Sequence, residues 1–181
     1  MGFGYGPRRL AQCTCRQSNS SAVRKIVILG DSLSAEYGLA RGSGWVALLT
    51  QRLQLSHPGW QVVNASISGD TTSGGRSRLP ALLRQHQPAL LVIELGSNDA
   101  LRGLPLNMTE ANLSAMLKAG QQAGAKVLLV GNQVPPNYGQ RYTQDFASLF
   151  QRLALDNHVA LVPFMLAGVA DTPDAIKNFQ D

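Results

Sequence analysis

Five short, almost continuously apolar segments recur along the chain, separated by longer stretches of mixed polarity. Their high Val, Ile and Leu content is typical of strands buried on both faces, as in parallel sheets. The segments are KIVILG (25–30), WQVVNASI (60–67), ALLVIELG (89–96), AKVLLVG (125–131) and VALVPFM (159–165). This pattern predicts a five-stranded parallel sheet.

The intervening stretches carry helical patterns. One helix is predicted within GWVALLTQRLQL, with its apolar side chains near one face: Trp45, Leu48, Leu49, Leu53 and Leu55. A second is predicted within NMTEANLSAMLKAGQQAG, with Asn107 or Thr109 as its N-cap, and a third within YTQDFASLFQRLALDNH. Strands that alternate with helices predict an α/β three-layer, flavodoxin-like domain with helices on both faces of the sheet.

Length and charge separate one domain from an N-terminal tail. A chain of 181 residues with 44% apolar composition can bury one sizeable core. The net charge of +5 belongs to the first 25 residues, because the rest of the chain has 11 basic and 11 acidic side chains. We therefore expect a disordered basic tail or leader remnant at 1–24, a domain at 25–181, and no nucleic-acid partner.

The tail carries little that points to chemistry. It has no apolar run long enough for a signal peptide, and the whole chain has no stretch of about 20 apolar residues that could span a membrane. Cys13 and Cys15 form a C-x-C pair without further cysteines, and we interpret them as incidental thiols. No His, Cys or carboxylate cluster has the spacing of metal ligands, so neither a metal nor an organic cofactor is expected.

Three polar, Gly-rich segments follow the first three predicted strands. GDSLS contains Ser32, SGDTTSGG contains Gly69, and GSND contains Asn98. Because the carboxyl ends of parallel strands meet at one edge of a sheet, we expect these residues to lie close together. Each segment alone is also typical of an ordinary turn or cap. Together they predict a catalytic edge.

These residue types suit acyl transfer. A serine hydroxyl becomes an effective nucleophile when a base takes its proton and when hydrogen-bond donors stabilise the oxyanion formed on attack. The backbone N–H groups of Ser32 and Gly69 and the side-chain amide of Asn98 are three such donors. The sequence lacks the nucleophile-elbow motif of α/β-hydrolases and the phosphate-binding motifs of nucleotide enzymes.

GDSLS at 30–34, SGDTTSGG at 68–75 and GSND at 96–99 resemble the first three sequence blocks of the SGNH (GDSL) hydrolases. LPLNMTEANL and VPPNYGQRYTQDF are similar to the bacterial branch of thioesterases, arylesterases and lysophospholipases. The resemblance runs from about residue 25 to the end of the chain. It implies a periplasmic or secreted enzyme, although no recognisable leader is present.

The resemblance also implies residue roles. Ser32 would be the nucleophile, and Gly69 and Asn98 would complete the oxyanion hole. Tyr37 and Tyr138 match positions that line the acyl site in that branch, and Leu104 lies in a loop that matches one that moves on substrate binding. In each case ordinary packing is the alternative interpretation.

The catalytic base is the feature that does not match. The family places it in an Asp-x-x-His block after the fifth strand, and this sequence contains no Asp-x-x-His. His57, His86 and His158 each precede a predicted strand, so each would lie roughly 15 to 20 Å from the carboxyl edge. We therefore expect the chain to stop before that block and to lack the catalytic Asp, the catalytic His and the final helix.

Two functions remain open. The first is a serine esterase that hydrolyses carboxylic esters or thioesters of acyl groups, weak or inactive as these 181 residues because its base is absent. The second is a non-catalytic acyl-binding domain on a hydrolase scaffold. In both cases the partner is a small-molecule acyl compound.

Overall fold

The computed structural model describes residues 1–2 and 23–168. Most of the predicted tail, residues 3–22 with Cys13 and Cys15, lies outside the described residues, and so do residues 169–181, on which the prediction of a missing final helix bears. The sheet begins at Arg24, one residue before the predicted domain boundary.

All five predicted strands are present, and five helices connect them. The strands are β1 (Arg24–Gly30), β2 (Trp60–Asn64), β3 (Leu90–Glu94), β4 (Lys126–Val130) and β5 (Ala160–Val162). The helices are α1 (Trp45–Ser56), α2 (Thr72–His86), α3 (Ser97–Leu101), α4 (Leu106–Gln122) and α5 (Gln140–Asp156). A short 3₁₀ turn, Pro136–Tyr138, precedes α5.

The strands form one parallel sheet in the order β2-β1-β3-β4-β5. This is the flavodoxin-like order, with its switch point at β1 and β3, and it confirms the predicted fold class. Gly30 and Glu94 are paired at the carboxyl ends of these two central strands. The loops that follow β1 and β3 therefore start side by side.

Two apolar layers cover the sheet. The larger joins the sheet to α2, α4 and α5, and its fully buried members include Leu79, Met116, Leu117, Phe146 and Phe150. The smaller lies against α1 and is formed by Ile26, Ile28, Val46, Val92 and Val130. Helices thus lie on both faces, which leaves the carboxyl edge open for the loops.

The predicted apolar face of α1 is only partly right. Trp45 and Leu53 pack against the smaller cluster, but the buried residue of this helix is Val46. Leu48 is 54% exposed and Leu55 is 89% exposed. At roughly 100° per residue, Leu48 and Leu55 point well away from the arc that contains Trp45, Val46 and Leu53. The helix therefore contacts the sheet through a narrower stripe than its composition suggests.

The predicted N-cap of α4 is wrong. The helix begins at Leu106 after Pro105, so Asn107 and Thr109 lie within its first turn. Proline is well suited to the start of a helix because its fixed φ angle fits there and no backbone N–H is lost from the ladder. Thr109 is instead buried and donates its hydroxyl to Asp99 at 3.3 Å.

Candidate active site

Ser32 lies in the turn that directly follows β1. It is half-buried, and within the described residues neither its hydroxyl nor its backbone N–H has a hydrogen-bond partner. The strand reaches this turn through Gly30, where a Cβ atom would lie 2.7 Å from Ser34 Oγ and 2.9 Å from Glu94 Oε2. Glycine is therefore required at position 30, and Ser32 presents an unengaged hydroxyl and amide.

Gly69 lies in the tight turn between β2 and α2. Its φ angle of +78° is one that residues with a side chain rarely adopt. The turn is closed by a hydrogen bond from Asp70 N–H to Ile67 O at 3.1 Å. Within the described part of the chain the Gly69 N–H donates to no acceptor, whereas its carbonyl oxygen accepts from Arg102 Nη2 at 2.8 Å. The turn leaves a second unengaged amide at the carboxyl edge.

Asn98 joins the loops of Ser32 and Gly69. It is the second residue of α3, and its Nδ2 donates to Asp31 Oδ2 at 3.1 Å and to Asp70 O at 2.9 Å. Asp31 is the residue before Ser32, and Asp70 is the residue after Gly69. The structure thus brings together the three residues that the sequence placed at separate strand ends.

Buried carboxyl groups support the turn that carries Ser32. Glu94, at the end of β3, accepts from Ser34 Oγ at 2.8 Å and from Asn132 Nδ2 at 3.0 Å. Burial, and then the neighbouring Asp31 carboxylate, raise the pKa of Glu94 to about 7. Burial also raises the pKa of Asp31, whose carboxylate accepts from Leu33 N–H at 3.1 Å. The pair therefore gives up its protons at higher pH than isolated carboxyl groups do.

A second buried carboxylate ties α3 to the start of α2. Asp99 is fully buried and accepts from Thr72 N–H at 2.8 Å and from the Thr72 hydroxyl at 2.5 Å. Asn112 donates to the same Thr72 hydroxyl oxygen at 3.1 Å. Thr71 is the N-cap of α2. Asn98 bonds to the residue before it and Asp99 bonds to the residue after it, so hydrogen bonds join the Gly69 turn to α3.

Arg78 connects the first two loops from the side of α2. Its guanidinium pairs with Asp70 at 2.8 Å, donates to Ala65 O, and reaches Gly30 O at 3.4 Å. Both partners of the ion pair are largely shielded, with side-chain exposures of 21% and 12%. The sequence patterns did not identify Asp31, Arg78, Glu94 or Asp99. The three acidic residues share one signal in the sequence that could have pointed to them: each lies at the end of a strand or in the connection that follows it.

The three histidines lie at the opposite edge of the sheet. His57 is the C-cap of α1 before β2, His86 is the last residue of α2 before β3, and His158 precedes β5. Since all five strands are parallel, these positions are at the amino edge, as predicted. Ser32 follows β1 at the other, carboxyl edge of the sheet.

The three residues that the family resemblance assigns to substrate binding lie in loops at the carboxyl edge. Tyr37 is 77% exposed, and its N–H donates to Ser32 O at 3.3 Å. Leu104 is half-buried, with its N–H on Asp99 O at 2.9 Å. Tyr138 is 37% exposed and stacks on Tyr142, with ring centroids 6.4 Å apart. Their side chains are accessible, and two of the three have backbone bonds to site residues or their neighbours.

Two further observations concern metal binding and membrane-spanning helices. Among the described residues, no three His, Cys, Asp or Glu side chains are grouped as metal ligands would be. No helix in the same part of the chain is both long and apolar enough to cross a membrane.

Comparison with known proteins places this chain in a family. The model of the GDSL-like Lipase/Acylhydrolase family matches residues 28–180. Esterase TesA of Pseudomonas aeruginosa is 49% identical over 152 residues, which cover 84% of this chain and 76% of the relative. Thioesterase 1/protease 1/lysophospholipase L1 of Escherichia coli strain K12 is 44% identical over 159 residues, covering 88% of this chain and 75% of the relative.

Comparison with solved structures points to the same family. A crystal structure of TesA superposes with a TM-score of 0.80 at 49% identity and covers 83% of each chain. The protein therefore belongs to the GDSL-like lipase/acylhydrolase family and to its SGNH branch. It is a hydrolase of the esterase class.

Proposed function

We propose that this protein is a serine esterase that hydrolyses carboxylic esters or thioesters of acyl groups, with Ser32 as its nucleophile. The observation that carries the proposal is the Asn98 amide, which bonds both to the residue before Ser32 and to the residue after Gly69. The contact gathers one hydroxyl and three N–H donors at one edge, as acyl transfer requires.

In the proposed reaction, Ser32 Oγ attacks the acyl carbon and its proton passes to a base. The oxyanion accepts hydrogen bonds from the N–H groups of Ser32 and Gly69 and from Asn98 Nδ2. Both Asn98 amide hydrogens are engaged in this structure, so a substrate oxygen has to replace the bond to Asp70 O or to Asp31. Collapse of the intermediate expels the alcohol or thiol, and water then releases the acid.

The acyl group would lie beside Ser32 among the loop side chains Tyr37, Leu104 and Tyr138. These residues come from the loops that follow β1, β3 and β4 at the carboxyl edge. This assignment rests on their exposure and on the family resemblance.

We further propose that none of the three histidines serves as the base. Removing one member of a catalytic triad typically costs several orders of magnitude in rate. We therefore expect these 181 residues on their own to hydrolyse esters slowly. Imidazole added to the buffer should act as a base in solution and raise the rate.

The test compares hydrolysis of a nitrophenyl butyrate ester with and without imidazole. We expect an imidazole-dependent rate that the Ser32→Ala variant lacks, after subtraction of the rate with imidazole alone. Combining His57→Gln, His86→Gln and His158→Asn should leave the rate unchanged; Asn suits position 158, where φ is +52°. Equal rates for the native chain and Ser32→Ala would overturn the proposal. Fast Ser32-dependent hydrolysis without imidazole, lost with the histidines, would show that one of them is the base.

The histidine positions also favour a second candidate, a domain that binds acyl groups without turning them over. That function predicts saturable binding of a fatty acid such as decanoate, with no Ser32-dependent hydrolysis at any imidazole concentration. Measured side by side, the two assays separate the candidates.

A further inference from the structure

Two side chains at the ends of α3 hold the turn that contains Gly69. Asn98 is the second residue of the helix, and Arg102 follows its last residue. Residues four apart lie on the same side of a helical turn. Asn98 Nδ2 donates to Asp70 O at 2.9 Å, and Arg102 Nη2 donates to Gly69 O at 2.8 Å. Two consecutive carbonyl groups of the turn are therefore bound to one short helix.

The helix is the fixed side of this contact. Buried Asp99 ties it to Thr72 at the start of α2. At its other end, Arg102 N–H bonds to Asn98 O at 3.1 Å. Leu104 N–H bonds to Asp99 O at 2.9 Å. None of these bonds uses the side chain of Arg102, which is exposed. A substitution at position 102 therefore leaves α3 and the apolar core in place.

The Gly69 turn has fewer ties of its own. Its ends are fixed, because Ile67 N–H bonds to β1 at 3.0 Å and the Asp70 carboxylate pairs with Arg78 at 2.8 Å. Between these ends, the bond from Arg102 is the one hydrogen bond that Gly69 makes within the described residues. Glycine has more backbone freedom than other residues. The bond to Gly69 O therefore restricts the direction in which the Gly69 N–H points.

We propose that Arg102 is a positioning residue of the esterase reaction, holding the Gly69 turn so that the Gly69 N–H stays directed at the oxyanion. The inference rests on the proposed function. Asn98 cannot hold the turn throughout, because a substrate oxygen has to replace one of its two amide bonds. When the bond to Asp70 O is replaced, Arg102 is the α3 side chain that still holds the turn. Its guanidinium stays charged at any working pH, which strengthens the bond to the carbonyl.

The test is the rate at which nitrophenyl butyrate adds an acyl group to Ser32, followed by mass spectrometry at several ester concentrations. In Arg102→Met we expect the limiting rate constant to fall about tenfold, less than the roughly 10²–10³-fold that loss of an oxyanion donor itself costs. The half-saturating ester concentration should stay unchanged, because the Gly69 N–H acts on the oxyanion and not on the bound ester. Arg102→Lys keeps a charged donor, and the native contact uses a single nitrogen, so its rate constant should stay within about threefold of native.

A second measurement needs no reaction. Asp70 N–H closes the Gly69 turn on Ile67 O, and its hydrogen exchange reports how often the turn opens. Exchange at Asp70, measured by NMR, should be at least about threefold faster in Arg102→Met and close to native in Arg102→Lys.

Arg41→Met is the matched control. Arg41 is also an exposed arginine at the carboxyl edge, in the loop after β1, but no hydrogen bond in the described ranges joins it to the Gly69 turn. This variant should match the native chain in both measurements. Equal losses in Arg41→Met and Arg102→Met would mean that positive charge alone matters, and would overturn the proposal.

The proposal is also overturned if Arg102→Met acylates Ser32 at the native rate, or if its loss lies only in the half-saturating ester concentration. Unchanged exchange at Asp70 in that variant has the same meaning. Failure of the proposed function differs from these outcomes, because the native chain itself would then gain no acyl group on Ser32. The inference about Arg102 would fall with it.

Discussion

The buried carboxyl group of Glu94 makes the stability of the protein depend on pH. Its pKa rises from 4.5 to about 7 on folding, chiefly because the group is removed from water. A carboxyl group with a raised folded pKa contributes stability that is fully present below pH 4.5 and is lost as the pH rises through about 7. At about 1.4 kcal/mol per pH unit, the full loss is about 3 kcal/mol.

The perturbation that isolates this group is Glu94→Gln, which keeps the shape and removes the ionisation. Between pH 5 and pH 8 we expect the free energy of unfolding of the native chain to fall by roughly 2 to 3 kcal/mol on account of Glu94. The variant should lose much less over the same range. Removing the Glu94 charge also relieves the repulsion on Asp31, which acts in the same direction.

The assay is urea unfolding at pH 5 and pH 8, followed by circular dichroism. Glu110→Gln serves as the control, because Glu110 is partly exposed and pairs with Arg152 only at 3.8 Å. Its pH dependence should equal that of the native chain. If Glu94→Gln and the native chain lose the same free energy between the two pH values, the argument from burial is refuted.

Two further substitutions test the packing of the site. Thr72→Val removes the hydroxyl that bonds to buried Asp99 and should lower the free energy of unfolding in urea by about 1 to 3 kcal/mol. Thr72→Ser keeps that bond and should lower it less. Equal losses in the two variants would contradict the role of the hydroxyl. Gly131→Ala places a Cβ atom against the backbone of Pro163 and should lower the free energy of unfolding in urea by about 1 to 3 kcal/mol. Gly59→Ala is the control, because the space around Gly59 is open, and it should leave the free energy of unfolding nearly unchanged.

The fold was predictable because its signals are local. Each strand is a short apolar run, and alternation with helices defines a parallel sheet without further information. The errors in α1 and α4 are of another kind. Leu48 and Leu55 are apolar yet exposed, because the width of a helix's contact depends on what packs against it. The start of α4 was set by Pro105, which competes with the polar cap residues that follow.

The candidate site was predictable only in part. Ser32, Gly69 and Asn98 could be placed at one edge because each lies in the connection that follows a strand. The residues that hold these three in place could not be predicted. A buried carboxylate such as Glu94 or Asp99 is recognised by its hydrogen-bond partners, and Ser34 and Thr72 lie tens of residues away in the chain. Hydrogen bonds across such distances in sequence leave no periodic pattern.

The central claim is that Ser32 is the acyl acceptor, and mass spectrometry of the acylated protein tests it most directly. After incubation with an activated nitrophenyl ester, we expect one added acyl group that peptide mapping places on Ser32, because nitrophenolate is a far better leaving group than the serine alkoxide, so that acylation outpaces hydrolysis of the acyl-enzyme. The Ser32→Ala variant should remain unmodified. An acyl group on Ser34 or Ser66 instead, or equal labelling of the variant, would contradict the account.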